Sequence, residues 1–343
     1  MIYRLAETGT LTKNELLDLV SNRTPERREL LRELAEKKRQ EIYGKDVYIR
    51  GLIEFSNICK QNCLYCGIRC GNTNVERYRL TEEQILSCCH NGYKLGFRTF
   101  VMQGGEDPHF TDDVFVNIIR KIKESYPDCA VTLSLGERSY DSYKRLREAG
   151  ADRYLLRHET ADAEHYAKLH PKDLTLETRM ECLKNLKSLG YQTGCGFMVG
   201  SPYQTMEHIV KDLLFIKDFQ PEMVGIGPFI PQKDTPFGDK PAGSVELTLY
   251  LLSIIRLMLP NVLLPATTAL GTLQKGGREM GILAGANVVM PNLSPLDIRD
   301  KYSLYDNKLS IGAESVEGLN ALRKSMNDIG YEVVTARGDA KKP

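Results

Sequence analysis

The sequence has no excess of charge of either sign: 46 Lys and Arg stand against 45 Asp and Glu in 343 residues, a formal net charge of +1. That balance leaves no electrostatic footprint for nucleic acid, which is bound through clustered cations. A membrane-spanning run is missing too. A span needs roughly 20 apolar residues, and the best stretch, Leu247 to Leu259, is short, carries Arg256 and meets Pro260. It reads as a buried helix. The opening Met1-Ile2-Tyr3-Arg4-Leu5 runs at once into Glu7 and polar residues, so no secretory signal is expected. Nor is a disulfide framework expected. Nine cysteines is an odd number, and without a signal sequence they argue for the reducing cytoplasm. Cys88, Cys89, Cys129, Cys182 and Cys195 sit in apolar contexts and read mostly as core fillers. With 42% apolar residues, the chain reads as a soluble globular protein.

What the sequence does contain is a cysteine triplet with C-x3-C-x2-C spacing, Cys59, Cys63 and Cys66. A structural zinc site usually shows a second pair of ligands, such as another C-x2-C or an H-x3-H, and none occurs. Packing cysteines would not need this spacing or the polar Lys60-Gln61-Asn62 loop between them. Three thiolates can hold three irons of a [4Fe-4S] cluster, whose full set is four. The fourth iron is then open to a small molecule, and an open position is where metal sites do chemistry. Cys70, four residues on, is read as a free thiol, because a fourth protein ligand would close the site.

The first 45 residues have helical patterning. Thr12 and Glu15 make a capping box, Pro25 opens a helix carrying Leu30, Leu31, Leu34 and Ile42, and Gly44 is placed to end it. We expect residues 1–45 to form a helical cap and residues 46–343 a second unit with a C-terminal tail. In that unit, short β-rich runs alternate with helical stretches. The runs are Val47–Phe55, Thr99–Gln103, Ala130–Leu135, Arg153–Leu156, Thr193–Val199, Met223–Ile230, Val262–Ala266 and Asn287–Met290. Thr81 and Gln84 cap one intervening helix, and Gly96, Gly150 and Gly190 are placed as helix stops. Eight strand–helix units point to a parallel (β/α)8 TIM barrel in the α/β class, with a doubly wound open sheet as the alternative. The runs end in polar, charged and glycine residues. In a barrel these ends meet at one face, where active sites lie. Turn chemistry explains some of them but not Arg157 and Glu159, which alternate so that both can face the interior. Charges there need a partner or a ligand.

Tyr65, just before the third cysteine, completes a pattern that resembles the radical S-adenosylmethionine (SAM) superfamily. The resemblance narrows when other segments are added. These are Gln103-Gly104-Gly105-Glu106-Asp107, Thr132 to Glu137, Tyr154 to Thr160, Gly225 to Pro231 and Pro265 to Ala269. In this order they are similar to the HydE family, the radical SAM maturases of [FeFe]-hydrogenase, from about residue 45 to 305. The resemblance implies that Cys59, Cys63 and Cys66 ligate one [4Fe-4S] cluster. It places Tyr65, Gly104, Gly105, Glu106, Ser134, Glu159, Arg179, Phe229 and Ile230 around SAM, with Arg179 for the carboxylate, which a guanidinium fork suits. It puts Thr132, Arg157, Thr267, Thr268, Met290 and Tyr305 around the substrate, and among these Arg157, Thr268, Met290 and Tyr305 at the chemistry. Read without it, the threonines are ordinary β-formers and Met290 is core. Some family members carry three further cysteines for a second cluster near the C-terminus. The corresponding stretch here, Leu304 to Arg323, has none, so one cluster is expected.

The implied function is assembly of the diiron part of the hydrogenase active site. In the family, a cysteine-bound iron with two carbonyls and one cyanide comes from the maturase HydG. An adenosyl radical attacks its sulfur, and a precursor passes toward the scaffold HydF. A radical needs a closed, dry cavity, and an anionic iron complex needs an interior cation such as Arg157. Alternatives are a lysine mutase of the methylornithine synthase type and, more distantly, biotin synthase, with Cys129 and Cys195 posing as ligands of a second cluster. From other classes come a non-catalytic iron–sulfur electron carrier and a zinc-bearing module.

Overall fold

The computed structural model describes residues 1–309 and 316–341. Part of the stretch Leu304 to Arg323, residues 310–315, therefore lies outside the described residues. Three helices open the chain, Ile2–Thr8, Lys13–Ser21 and Pro25–Tyr43. The Thr12 hydroxyl accepts from the Glu15 amide, and the Glu15 carboxylate accepts in return from the Thr12 amide, so the capping box forms. Pro25 sits in the first turn of the third helix, and Gly44 ends it at φ 58°. Leu16, Leu19 and Leu31 are fully buried in the same apolar core as the residues that follow.

The strands are β1 (Asp46–Ile49), β2 (Gly51–Ser56), β3 (Thr99–Gly104), β4 (Ala130–Ser134), β5 (Arg153–Leu155), β6 (Gln192–Cys195), β7 (Met198–Val199), β8 (Met223–Val224), β9 (Gly227–Pro228), β10 (Val288–Val289) and β11 (Glu332–Val334). β2, β3, β4, β5, β6 and β8 pair in parallel in that order. Single bridges carry the ring onward, from Met223 to Leu263 and from Pro265 to Val288. β10 then pairs with β1, and Leu52 bridges to Asn292. The ring is therefore closed, and the architecture is the (β/α)8 barrel rather than the open sheet.

The expected runs differ from the observed strands in detail. Val262–Ala266 contributes only bridges at Leu263 and Pro265, where the proline has no amide proton for a ladder. The fifth and sixth runs each break in two, and they break together. A β-carbon on Gly196 would lie 2.0 Å from the Gly225 carbonyl oxygen, so both chains bend at that close approach before β7 pairs with β9. β11, which the strand count does not anticipate, pairs in parallel with β1 outside the ring. The tail beyond it crosses the N-terminal mouth of the barrel. There Arg153 bonds the Arg337 carbonyl at 2.9 Å and the Asp339 carboxylate at 2.6 Å. The stops at Gly96, Gly150 and Gly190 all adopt positive φ, and the Leu247 to Leu259 stretch forms the buried helix Val245–Met258.

Candidate active site

A cavity of about 360 Å³ opens at the C-terminal ends of the strands. A wider depression of about 530 Å³ lies beside it, between the loops after β3 and β4, and shares Glu106 with it. The first of these is the candidate site, because it collects the cysteine loop and the ends of the barrel strands in one space. Cys59, Cys63 and Cys66 are free and line its wall. Burial pushes all three thiols up, Cys66 to about 12. Left to themselves they are thiols at neutral pH, and a bound cation would hold them as thiolates. Cys70 is exposed and off the wall, with its amide donating to the Gln61 carbonyl at 2.9 Å.

The loop after β3 approaches the cysteine loop closely. A β-carbon on Gly105 would stand 2.2 Å from the Ile58 carbonyl oxygen and 2.7 Å from the Cys59 β-carbon, so only glycine fits. The Glu106 amide points at the Cys59 sulfur at 3.4 Å. The Glu106 carboxylate is held at one oxygen by Gln61, 2.8 Å, and at the other by the Glu137 amide, 3.1 Å. Arg179, on the helix Leu176–Ser188, donates to Glu137 at 2.6 Å and to the Arg157 carbonyl at 2.8 Å. Burial works against its charge, but Tyr166 and Glu137 outweigh it and hold Arg179 above its ordinary range. Gly104, Ser134, Phe229 and Ile230 share the wall, as does Tyr65. The Tyr65 hydroxyl meets His170 Nε2 at 3.2 Å, and burial pulls His170 down to about 3, so its ring is neutral.

On the opposite side the wall is formed by Arg157, Thr267, Thr268, Met290 and Tyr305. Arg157 and Glu159 do not alternate on a strand as expected. They lie beyond the end of β5, and Glu159 turns inward through a left-handed backbone at φ 64°. Arg157 Nη2 and Glu159 Oε2 stand 3.0 Å apart as an ion pair, yet neither is aligned as a hydrogen bond. Thr132 is the one predicted site residue off the wall. It points inward two residues before Ser134 on β4, one layer below the cavity, and its buried hydroxyl has no hydrogen-bond partner among the described residues. Sequence reasoning missed Glu54, Gln103, Tyr302 and Lys308 on the wall. Glu54 is fully buried, ion-paired with Lys308 and bonded to Asn292 at 2.8 Å. The Glu54 signal was available, as a lone carboxylate within an apolar strand. The pairing with Lys308 had none.

Comparison with known proteins completes the assignment. Residues 53–216 match the Radical SAM superfamily. The [FeFe] hydrogenase maturase subunit HydE of Thermotoga maritima is 44% identical over 96% of this chain and 94% of its own. The chain belongs to the HydE family. A 3-methylornithine synthase of Methanosarcina barkeri is 32% identical, over 89% of this chain and 86% of its own. The crystal structure of methylornithine synthase superposes with a TM-score of 0.85 at 29% identity, covering 97% of each chain. That of HydG gives 0.80 at 20% identity over 96% of this chain and 74% of that one, a likeness of fold. A HydE-family chain is a radical SAM enzyme, and superfamily membership implies a [4Fe-4S] cluster and SAM. The cavity fits that pair. Its wall carries three free cysteines as donors for irons, and beside them the Glu106, Glu159 and Arg179 side chains for a charged ligand. No helix among the described residues is long and apolar enough to cross a membrane.

Proposed function

We propose that this enzyme acts in assembly of the diiron subcluster of [FeFe]-hydrogenase, on a cysteine-bound iron carrying two carbonyls and one cyanide. Cys59, Cys63 and Cys66 hold one [4Fe-4S] cluster. Glu106, Glu159, Arg179 and the neighbouring Tyr65, Gly104, Gly105, Ser134, Phe229 and Ile230 bind SAM. When bound, the cluster supplies the electron that splits SAM into methionine and a 5′-deoxyadenosyl radical. The protein's own part is placement and exclusion of water, which a rigid barrel with a closed floor provides. Thr267, Thr268, Met290 and Tyr305, with Thr132 below them, shape the substrate end, where Arg157 supplies the cation. HydG and HydF are the proposed transient partners, in the cytoplasm.

One observation carries this reading. Arg157 Nε and Nη2, Glu159 Oε2 and Thr267 Oγ1 are buried polar atoms of cavity-lining residues with no hydrogen-bond partner among the described residues. Each such atom costs about 1–3 kcal/mol unless something bonds it. A polar, anion-bearing ligand in the cavity supplies those partners. The test is mass spectrometry of 5′-deoxyadenosine and adenosylated products. The reconstituted protein is given SAM and a reductant anaerobically, with and without the HydG product. Strong stimulation, with adenosyl on the sulfur of that product, is expected. SAM cleavage indifferent to it would move the substrate to an amino acid. That second reading, a mutase of the methylornithine synthase type, is favoured by the close superposition on that enzyme, while the higher sequence identity favours HydE.

A further inference from the structure

His158 stands between Arg157 and Glu159 but faces away from the cavity. Its ring is fully buried outside the barrel wall, packed on Phe215 at 4.7 Å and Phe197 at 6.0 Å between centroids. The Gly196 amide donates to Nδ1 at 3.2 Å. Nδ1 is therefore an acceptor, and the ring proton sits on Nε2. Nε2 in turn donates to Asp212 Oδ1 at 3.2 Å. The same oxygen accepts from the Ala161 amide at 2.5 Å.

Asp212 lies on the helix Met206–Phe219, fully buried, and its other oxygen has no hydrogen-bond partner among the described residues. A carboxylate in that position is costly to the fold. Burial raises its pKa well above the ordinary carboxylate value and pulls His158 down to about 3. What the two groups hold is the turn at Glu159. Asp212 grips this turn on both sides, at the His158 ring before it and the Ala161 amide after it. Between the grips, Glu159 keeps a left-handed backbone that a non-glycine residue adopts only at a cost. Its own amide donates to the Gly196 carbonyl at 3.0 Å. Gly196 thus meets the turn with both its amide and its carbonyl, and its φ of 152° with the Gly225 carbonyl alongside leaves no room for a side chain there. Without these grips the backbone is free to leave φ 64°, and the Glu159 carboxylate leaves the wall it shares with Arg157.

We propose that Asp212 and His158 are positioning residues, a clamp outside the barrel that sets Glu159 and Arg157 inside it. The proposal rests on the reading that this cavity binds SAM. It needs from Asp212 an oxygen acceptor at Oδ1. Asp212→Asn keeps that oxygen and Asp212→Leu removes it. His158→Asn keeps the acceptor facing Gly196 and drops the contact with Asp212. SAM affinity of the reconstituted proteins is measured by equilibrium dialysis without substrate, alongside hydrogen exchange at the Glu159 and Ala161 amides and thermal melting. Asp212→Leu is expected to weaken SAM binding tenfold or more and His158→Asn at least threefold, both with faster exchange at Glu159. Asp212→Asn is expected within threefold of the parent. If Asp212→Leu does not fold, the His158→Asn and Asp212→Asn results decide. Parent-like SAM affinity in His158→Asn, or a loss in Asp212→Asn as large as in Asp212→Leu, would overturn the clamp. Because no substrate is present, these results are independent of the HydG-product test. Failure of the parent itself to bind SAM would sink the reading of the cavity instead.

Discussion

Arg157→Ala separates the two ends of the cavity. The guanidinium is paired only loosely, with Nη2 3.0 Å from Glu159 Oε2 and no aligned hydrogen bond, while Nε has no hydrogen-bond partner among the described residues. The Arg157 side chain is 32% exposed and that of Glu159 10%. Screening by solvent therefore limits the stability lost with the ion pair to about 1 kcal/mol. Substrate recognition stands to lose more, because a hydrogen bond to a charged group contributes about 1.5–3 kcal/mol. At 1.4 kcal/mol per tenfold, that is about a 10- to 100-fold fall in substrate-dependent kcat/KM. The assay is anaerobic. Adenosylated product is quantified against precursor concentration, and SAM affinity without precursor is measured separately by equilibrium dialysis. The expected pattern is a large loss in the first and SAM affinity within threefold of the parent. The reverse pattern, with SAM binding reduced tenfold or more and substrate response unchanged, would refute the division of the cavity into a SAM side and a substrate side.

Other perturbations test the scaffold. Gly105→Ala places a methyl 2.2 Å from the Ile58 carbonyl oxygen, so the cysteine loop must move. Iron bound after reconstitution is expected to fall at least twofold while the melting temperature changes little, and full iron loading would contradict that contact. Lys308→Met strands the fully buried Glu54 carboxylate. The expected loss is about 3 kcal/mol in urea unfolding. Adding Glu54→Gln should recover most of it, and an additive double variant would show that the two side chains are not coupled. At the barrel floor, burial works to raise Asp339, but Arg153 and Arg337 overcome it and bring the carboxyl down to about 2. A depressed carboxylate stabilises the fold above its unfolded pKa of about 3.9 and loses that contribution as pH falls through the folded value. The melting-temperature gap between parent and Asp339→Asn should therefore be widest at pH 7 and shrink from about pH 4 toward pH 2. A gap that stays constant with pH would assign the effect to packing.

Local chemistry by itself determined much of this protein. The capping boxes at Thr12 and Thr81 form because each involves residues three apart. The cysteine spacing likewise sets three thiols within one loop, but the glycine-rich turn after β3 meets Cys59 only because β2 and β3 pair, 47 positions apart. Alternation of apolar runs with helical stretches was enough to count the barrel's staves, because each stave buries its own apolar residues. Closure of the ring decided the rest. The barrel curves Thr132 into a deeper layer than Ser134, although both point inward from one strand. It brings Lys308 to Glu54 across 254 positions and sets His170 against Tyr65 across 105. It leads the C-terminal strand back to β1 and lets a helix reach around to Asp212's place behind His158. Pairings of this kind have no local signature. They exist because a closed parallel barrel allows one arrangement of its strand ends, and buried charges persist only where that arrangement gives them a partner.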